Sequence, residues 1–355
     1  MPAIQKTILK GGDVLEEILS VKDLEIQFTL RGKTLTPIRK VSLELYKGET
    51  LAIAGESGSG KTVLTKTFIG MLDNNGKITG GQILFDGKDL TTYKTEKQWL
   101  TIRGRRISMV FQDPMTSLNP LKTIGEQIRE SMILHNIVPK DKSKGRVIEL
   151  LNDVGIPDAI NRYSNYPHQF SGGMRQRVVI AIAMACQPDI LICDEPTTAL
   201  DVTIQAQIID LIKSLQKKLG ITVIYITHDL GVVAEVADRV AIMYAGEFVE
   251  VGTAEEVFFD PRHPYTWALL SSLPQFGEKG KDLYTIEGVP PNLFKVIVGD
   301  AFAPRNRYAL EVDFAAAPPY FKVSETHKAK TWLLDPRSPK IEPPETIAKL
   351  KAGDF

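Results

Sequence analysis

The sequence predicts an α/β fold: a mostly parallel sheet covered by helices, with an antiparallel β region ahead of it. Three observations lead there. Short apolar strand signals at 51–54, 190–193, 222–227 and 239–244 are separated by helical stretches, the alternation that builds parallel sheets. Before them, 21–31 (VKDLEIQFTLR) and 41–46 (VSLELY) alternate apolar with polar residues, the period of half-buried strands. Between them, from about 95 to 171, charged and helix-favouring residues dominate and predict a helical insert subdomain.

Residues 1–20 form an N-terminal segment without the apolar core of a signal peptide. The strand at 51–54 runs into a Gly/Ser-rich loop, and 63–72 reads as a helix. A hairpin-like stretch follows, with Gly80-Gly81, a strand over 82–85 and a turn at Asp86-Gly87. In the insert, 126–135 and 144–154 have helical spacing, and Asp113-Pro114 and Asn119-Pro120 act as breakers. Beyond about 276 proline becomes frequent and periodicity weakens. The expected organisation is a segment 1–20, a main domain 21–275 and a small C-terminal extension 276–355.

The chain's 43 basic and 43 acidic residues cancel, so no global field draws it to nucleic acid or an anionic membrane. The longest apolar run, 178–186, falls far short of the ~20 residues that span a bilayer. Cys186 and Cys193 sit in apolar surroundings, outside any Cys-x-x-Cys pair, and read as buried small hydrophobes.

The chemistry is carried by two motifs first. Gly55-Glu56-Ser57-Gly58-Ser59-Gly60-Lys61-Thr62 fits G-x-x-x-x-G-K-[ST], after a strand and before a helix. The glycines let successive N–H groups turn inward onto phosphate oxygens, and the helix N-terminus adds partial positive charge. Lys61 reaches the β- and γ-phosphates and the Thr62 hydroxyl ligates Mg²⁺. The apolar strand 190–193 ends in Asp194, suited to Mg²⁺, and Glu195, suited to take a proton from attacking water. Together these predict a P-loop (RecA-like) nucleotide hydrolase. Kinase, GTPase and motor ATPase remain open, although no Asn-Lys-x-Asp element for guanine is present.

A third element decides among them. Phe170-Ser171-Gly172-Gly173-Met174 precedes a long apolar helix and resembles the Leu-Ser-Gly-Gly-Gln signature of the ATP-binding-cassette (ABC) ATPases. The resemblance extends to Gln112 as the Q-loop glutamine, 198–201 with Asp201 as the D-loop, and His228 as the switch histidine. It implies the ABC nucleotide-binding fold, ATP and Mg²⁺ as cofactors, and Gln112 beside Mg²⁺ and the attacking water. It also implies His228 at the γ-phosphate and Ser171, Gly172 and Gly173 clamping the nucleotide of a second cassette. Phe28 is the candidate for the adenine-stacking aromatic, with a core strand residue as the other reading.

Residues 258–275 (FFDPRHPYTWALLSSLPQ), 286–291 (IEGVPP) and the stretch with Phe302-Ala303-Pro304-Arg305 resemble the C-terminal extension of oligopeptide/dipeptide permease ATPases. That implies an ATPase subunit of a peptide importer at the cytoplasmic face of the membrane. Its partners would be a second, OppF-like cassette in a heterodimer, two membrane permease subunits and, indirectly, an extracellular peptide-binding protein, with no nucleic acid. A nickel or other small-solute importer is the alternative, since such ATPases share the HPYT segment. Many relatives carry cysteines in the extension and some hold an iron–sulfur cluster there. This chain has Asp300 and Asn306 at those places and no cysteine after 193, so no cluster is expected, and the extension is expected to hold together by packing alone. His263 and His327 read as structural rather than metal ligands.

Overall fold

The computed structural model describes residues 7–8, 14–198, 200–273 and 285–352. They form two compact units. One takes the described residues up to Thr67, Met71–Thr91 and those from Thr227 onward; the other takes Phe68–Gly70 and Thr92–Ile226.

In the first unit, Glu17–Leu30 pairs antiparallel with Lys33–Tyr46 on one side and Gly76–Phe85 on the other. Arg31 and Gly32 both have positive φ, the two-residue turn whose twist matches a hairpin. The strand starts at Glu17, ahead of the expected boundary at 21. Thr50–Ala54 is buried at every residue and runs parallel to Arg239–Tyr244. Its continuous apolar run is what a strand covered on both faces requires. Arg239–Tyr244 turns back through Ala245 and Gly246, both at positive φ, into the antiparallel strand Glu247–Thr253.

The C-terminal residues join this unit. Lys328–Ala329 pairs with Glu247–Thr253, and Phe321–Lys322 pairs with Lys328–Ala329. Ile347 and Leu350, from the helix Glu345–Ala352, are buried in one core with Ala52, Ala54, Tyr244, Tyr265, Trp267 and Phe302. Packing is not all that holds the extension, contrary to the sequence expectation. His327 meets Glu250 at 2.7 Å with both side chains fully buried. Glu256 accepts hydrogen bonds from Ser324 and Thr326. These partners lie far apart in sequence, so no local pattern announces them.

In the second unit, Ile107–Val110, Ile190–Asp194 and Thr222–Thr227 form a parallel sheet with Ile190 level with both Ile107 and Thr222. Ile107–Val110 lies within the stretch read as a helical insert. Helices Ile124–Leu134 and Ser143–Asp153 fall where helical spacing puts them, the first started by a Thr123/Glu126 capping box. Helix Gly172–Met184 buries most of its circumference, as an element hydrophobic all round must. Both cysteines are buried, and burial pushes the Cys186 thiol up to about 11 and raises Cys193 as well, so neither is a thiolate at neutral pH.

Candidate functional site

The phosphate loop in the first unit is shaped by its glycines. Gly55 has φ 147° and Gly60 φ 110°. A Cβ on Gly55 would lie 2.1 Å from the Met243 carbonyl oxygen, and one on Gly60 2.5 Å from that of Pro37, so both positions exclude any side chain. Gly58, also at positive φ, faces open space and is needed only for its conformation. The Gly246 N–H donates to the Ser59 carbonyl at 2.9 Å and ties the loop to the hairpin turn beyond Tyr244. Helix Lys61–Phe68 begins at the loop's end. Lys61 is 5% exposed, and its ammonium donates to the carbonyls of Gly55 at 2.7 Å and Glu56 at 2.8 Å and to Ser59 Oγ at 3.3 Å. The cation is thus folded over the concave face of its own loop, where it can exchange loop carbonyls for phosphate oxygens. Ser57 is exposed on the loop, and Thr62 partly buried at the first turn of the helix.

The carboxylates belong to the second unit. Asp194 closes Ile190–Asp194 and is 5% exposed. Glu195 follows with φ 47°, in the left-handed region. Its N–H donates to the Ile226 carbonyl at 2.9 Å, so the neighbouring strand holds it in that unfavourable conformation. Gln112 Nε2 donates to Glu195 Oε2 at 2.7 Å, and the Thr198 hydroxyl donates to the same oxygen at 3.0 Å. One carboxylate oxygen is thereby fixed by two donors from different loops. The sequence pointed to Gln112 and Glu195 separately; Thr198 was read only as part of the D-loop.

Ser171 caps helix Gly172–Met184, its hydroxyl accepting from the Met174 N–H at 3.3 Å, worth about 1 kcal/mol. Ser171 and Gly172 are exposed. Gly173 is buried, and a Cβ there would approach Ile204 to 2.7 Å. Asp201 caps Val202–Leu219 by accepting from the Ile204 N–H at 2.9 Å; Ala199 beside it lies outside the described residues.

His228, in the first unit, is exposed just before Asp229, which caps helix Leu230–Val236. Phe28 is 9% exposed and lies against Gly76, where a Cβ would meet its ring at 2.6 Å. His263 is fully buried, accepts from the Tyr265 N–H at 3.0 Å through Nδ1, and is pushed down to about 3 by burial, so it is neutral. Among the described residues, no group of three or more His, Cys, Asp or Glu is placed to hold a metal ion by itself. No helix among them is long and apolar enough to cross a membrane.

Two family models match the chain: ABC transporter over residues 38–198, and oligopeptide/dipeptide transporter, C-terminal region, over 249–312. The chain is 61% identical to the oligopeptide transport ATP-binding protein AmiE of Streptococcus pneumoniae serotype 4, over 94% of each. It is 55% identical to the oligopeptide transport ATP-binding protein OppD of Bacillus subtilis, again over 94% of each. It is 54% identical to the dipeptide transport ATP-binding protein DppD of Lactococcus lactis subsp. cremoris, over 94% of this chain and 95% of that one. Among solved structures, the ATP-binding cassette MJ0796, a dimer in a post-hydrolysis state bound to ADP and Pi, matches with a TM-score of 0.60 at 27% identity. That match covers 67% of this chain and 99% of the other.

Proposed function

The chain belongs to the ABC transporter ATP-binding proteins, in the branch with the oligopeptide/dipeptide transporter C-terminal region, and from that premise we propose that it is the ATP-hydrolysing subunit of a peptide importer. The small-solute alternative gives way, because the similar relatives are named for oligopeptide and dipeptide transport.

The observation that carries the chemistry is the Glu195 carboxylate, held by Gln112 and Thr198 at the end of a buried strand. In the proposed reaction the N–H groups of 55–60 and the Lys61 ammonium bind the β- and γ-phosphates. Thr62, Asp194 and Gln112 offer oxygen donors only, a set that suits a hard cation. Thr62, Asp194 and Gln112 would be the residues to hold Mg²⁺, which would supply charge neutralisation at the phosphates. Glu195 accepts a proton from the attacking water while Gln112 orients both groups, and His228 faces the γ-phosphate. Phe28, the proposed adenine-stacking aromatic, is buried against Gly76 and offers little exposed surface.

Ser171, Gly172 and Gly173 serve a second cassette's nucleotide, with Asp201 beside them. The partner is proposed to be a different, OppF-like subunit, docked with this one under two permease subunits at the cytoplasmic face. Exposed apolar side chains at Leu121, Leu134 and Ile160 in the second unit suit contact with those membrane partners.

The test is Glu195→Gln in the assembled transporter. Turnover is expected to fall at least ~10²-fold, as loss of a general base does, while MgATP binding persists. Unchanged hydrolysis would falsify the role given to Glu195.

A further inference from the structure

The C-terminal region reaches the phosphate loop itself. Glu56 is the second residue of that loop. Its N–H donates to the Tyr265 hydroxyl at 2.8 Å. Its carboxylate is gripped in bidentate fashion by Arg305, with Nη1 to Oε2 at 2.7 Å and Nη2 to Oε1 at 3.0 Å. The Arg305 side chain is 5% exposed, against 26% for Glu56.

Two further donors of the guanidinium are committed elsewhere. Nε donates to the Glu287 carbonyl at 2.9 Å and Nη1 also to the Tyr244 hydroxyl at 3.2 Å. Tyr244, Tyr265 and Phe302 pack against one another with ring centroids 4.6–5.3 Å apart. The guanidinium carbon lies 5.7 Å from the Tyr244 ring centroid. Burial opposes the charge on Arg305, yet its hydrogen bonds to Glu56 and Tyr244 keep its pKa above the usual arginine value. The cation is therefore permanent and fixed in place from several sides.

That arrangement answers an electrostatic problem in the loop. An anion cradle works by presenting N–H dipoles and a lysine to phosphate. A carboxylate at its second position repels the same phosphates unless something cancels it. Planar bidentate pairing by arginine cancels it and fixes its direction, which lysine's point charge would not do.

We propose that Arg305 is a positioning residue of the ATP site: by pairing with Glu56 it cancels that carboxylate's repulsion of the phosphates, so that nucleotide affinity depends on the docked C-terminal region. The proposal rests on the reading of residues 55–62 as the ATP phosphate loop.

The test uses the full-length chain, with MgATP and MgADP titrated by calorimetry at low and high salt. Arg305→Gln is expected to weaken MgATP binding on the order of tenfold at low salt, with a smaller loss at high salt because screening weakens the repulsion. Removing the repelling charge as well, in Arg305→Gln/Glu56→Gln, is expected to restore most of the affinity. Glu56→Gln alone is expected to bind MgATP at least as tightly as the unaltered chain, and it supplies the answer if Arg305→Gln does not fold. A purely structural role predicts the opposite pattern: the double variant no better than Arg305→Gln, or Glu56→Gln as weak as Arg305→Gln. Either result overturns the proposal. Lys61→Ala separates the two readings. If it binds MgATP normally, the ATP-site reading itself fails; if it loses binding while Arg305→Gln does not, only the role of Arg305 fails.

Discussion

Asp300 is 8% exposed, and its carboxylate accepts the Phe302 N–H at 3.0 Å. Burial pushes its pKa up to about 6, the Phe302 bond opposes that, and the charges of Asp313 and Glu247 add to it while Lys330 subtracts. The folded state therefore holds a proton that the unfolded chain releases near the ordinary aspartate value. Stability from this group is fully present below about pH 4 and is lost as pH rises through about 6. A shift of this size corresponds to roughly 3 kcal/mol at neutral pH. Asp300→Asn keeps the acceptor oxygen and removes the charge. It is expected to raise stability at pH 7 and to flatten the pH dependence between about 4 and 6. Urea unfolding of both proteins across that range checks this, and a difference that stays constant with pH would refute it. The absence of cysteine at 300 was plain in the sequence. The titration was not, because it depends first on burial of the carboxylate and then on charges brought near it from elsewhere in the chain.

Elements differ in how far their own residues announce them. Thr50–Ala54, Ile190–Asp194, Thr222–Thr227 and Arg239–Tyr244 were legible because strands buried on both faces are unbroken apolar runs. Ile107–Val110 is just as buried, yet the arginines before it and the breakers after it leave too short a run to read. The two-residue strands Phe321–Lys322 and Lys328–Ala329 pair with each other and are too short to show a period, and the second is tied to Glu247–Thr253, far away in sequence. A buried tie between distant residues is His327 on Glu250, whose carboxylate also accepts the Arg262 N–H at 2.6 Å and the His263 N–H at 3.1 Å. Removing one partner of such a buried contact strands the other. His327→Leu is expected to destabilise the chain by about 3 kcal/mol, and Glu250→Gln/His327→Leu by less than the sum of the single changes. Equilibrium unfolding of the three variants measures the coupling; strict additivity would mean that the contact contributes nothing of its own.

At the scale of the whole molecule, one chain carries one phosphate loop and one exposed Ser171-Gly172 helix start, and the proposed function has the two serve different nucleotides in an assembly. Motif order makes that proposal legible in the sequence. The identity of the second subunit was not, because a surface complementary to a partner has no internal period to read. Gly172 offers a way to separate a chain's own binding from its service to the partner. Among the described residues, a Cβ at Gly172 has only Leu200 within reach, at 4.0 Å, whereas one at Gly173 collides with Ile204. Gly172→Ala is therefore compatible with the fold, and the better helix propensity of alanine slightly favours it. The new methyl group would sit where a partner's phosphate has to approach the helix N-terminus. The isolated variant is expected to bind MgATP within about twofold of the unaltered chain, while ATP turnover of the full transporter falls on the order of tenfold or more. Nucleotide titration of the isolated chain and phosphate release from the reconstituted transporter are the two measurements. Lost binding in the isolated chain, or full turnover in the assembly, would show that this helix start does not complete a partner's site.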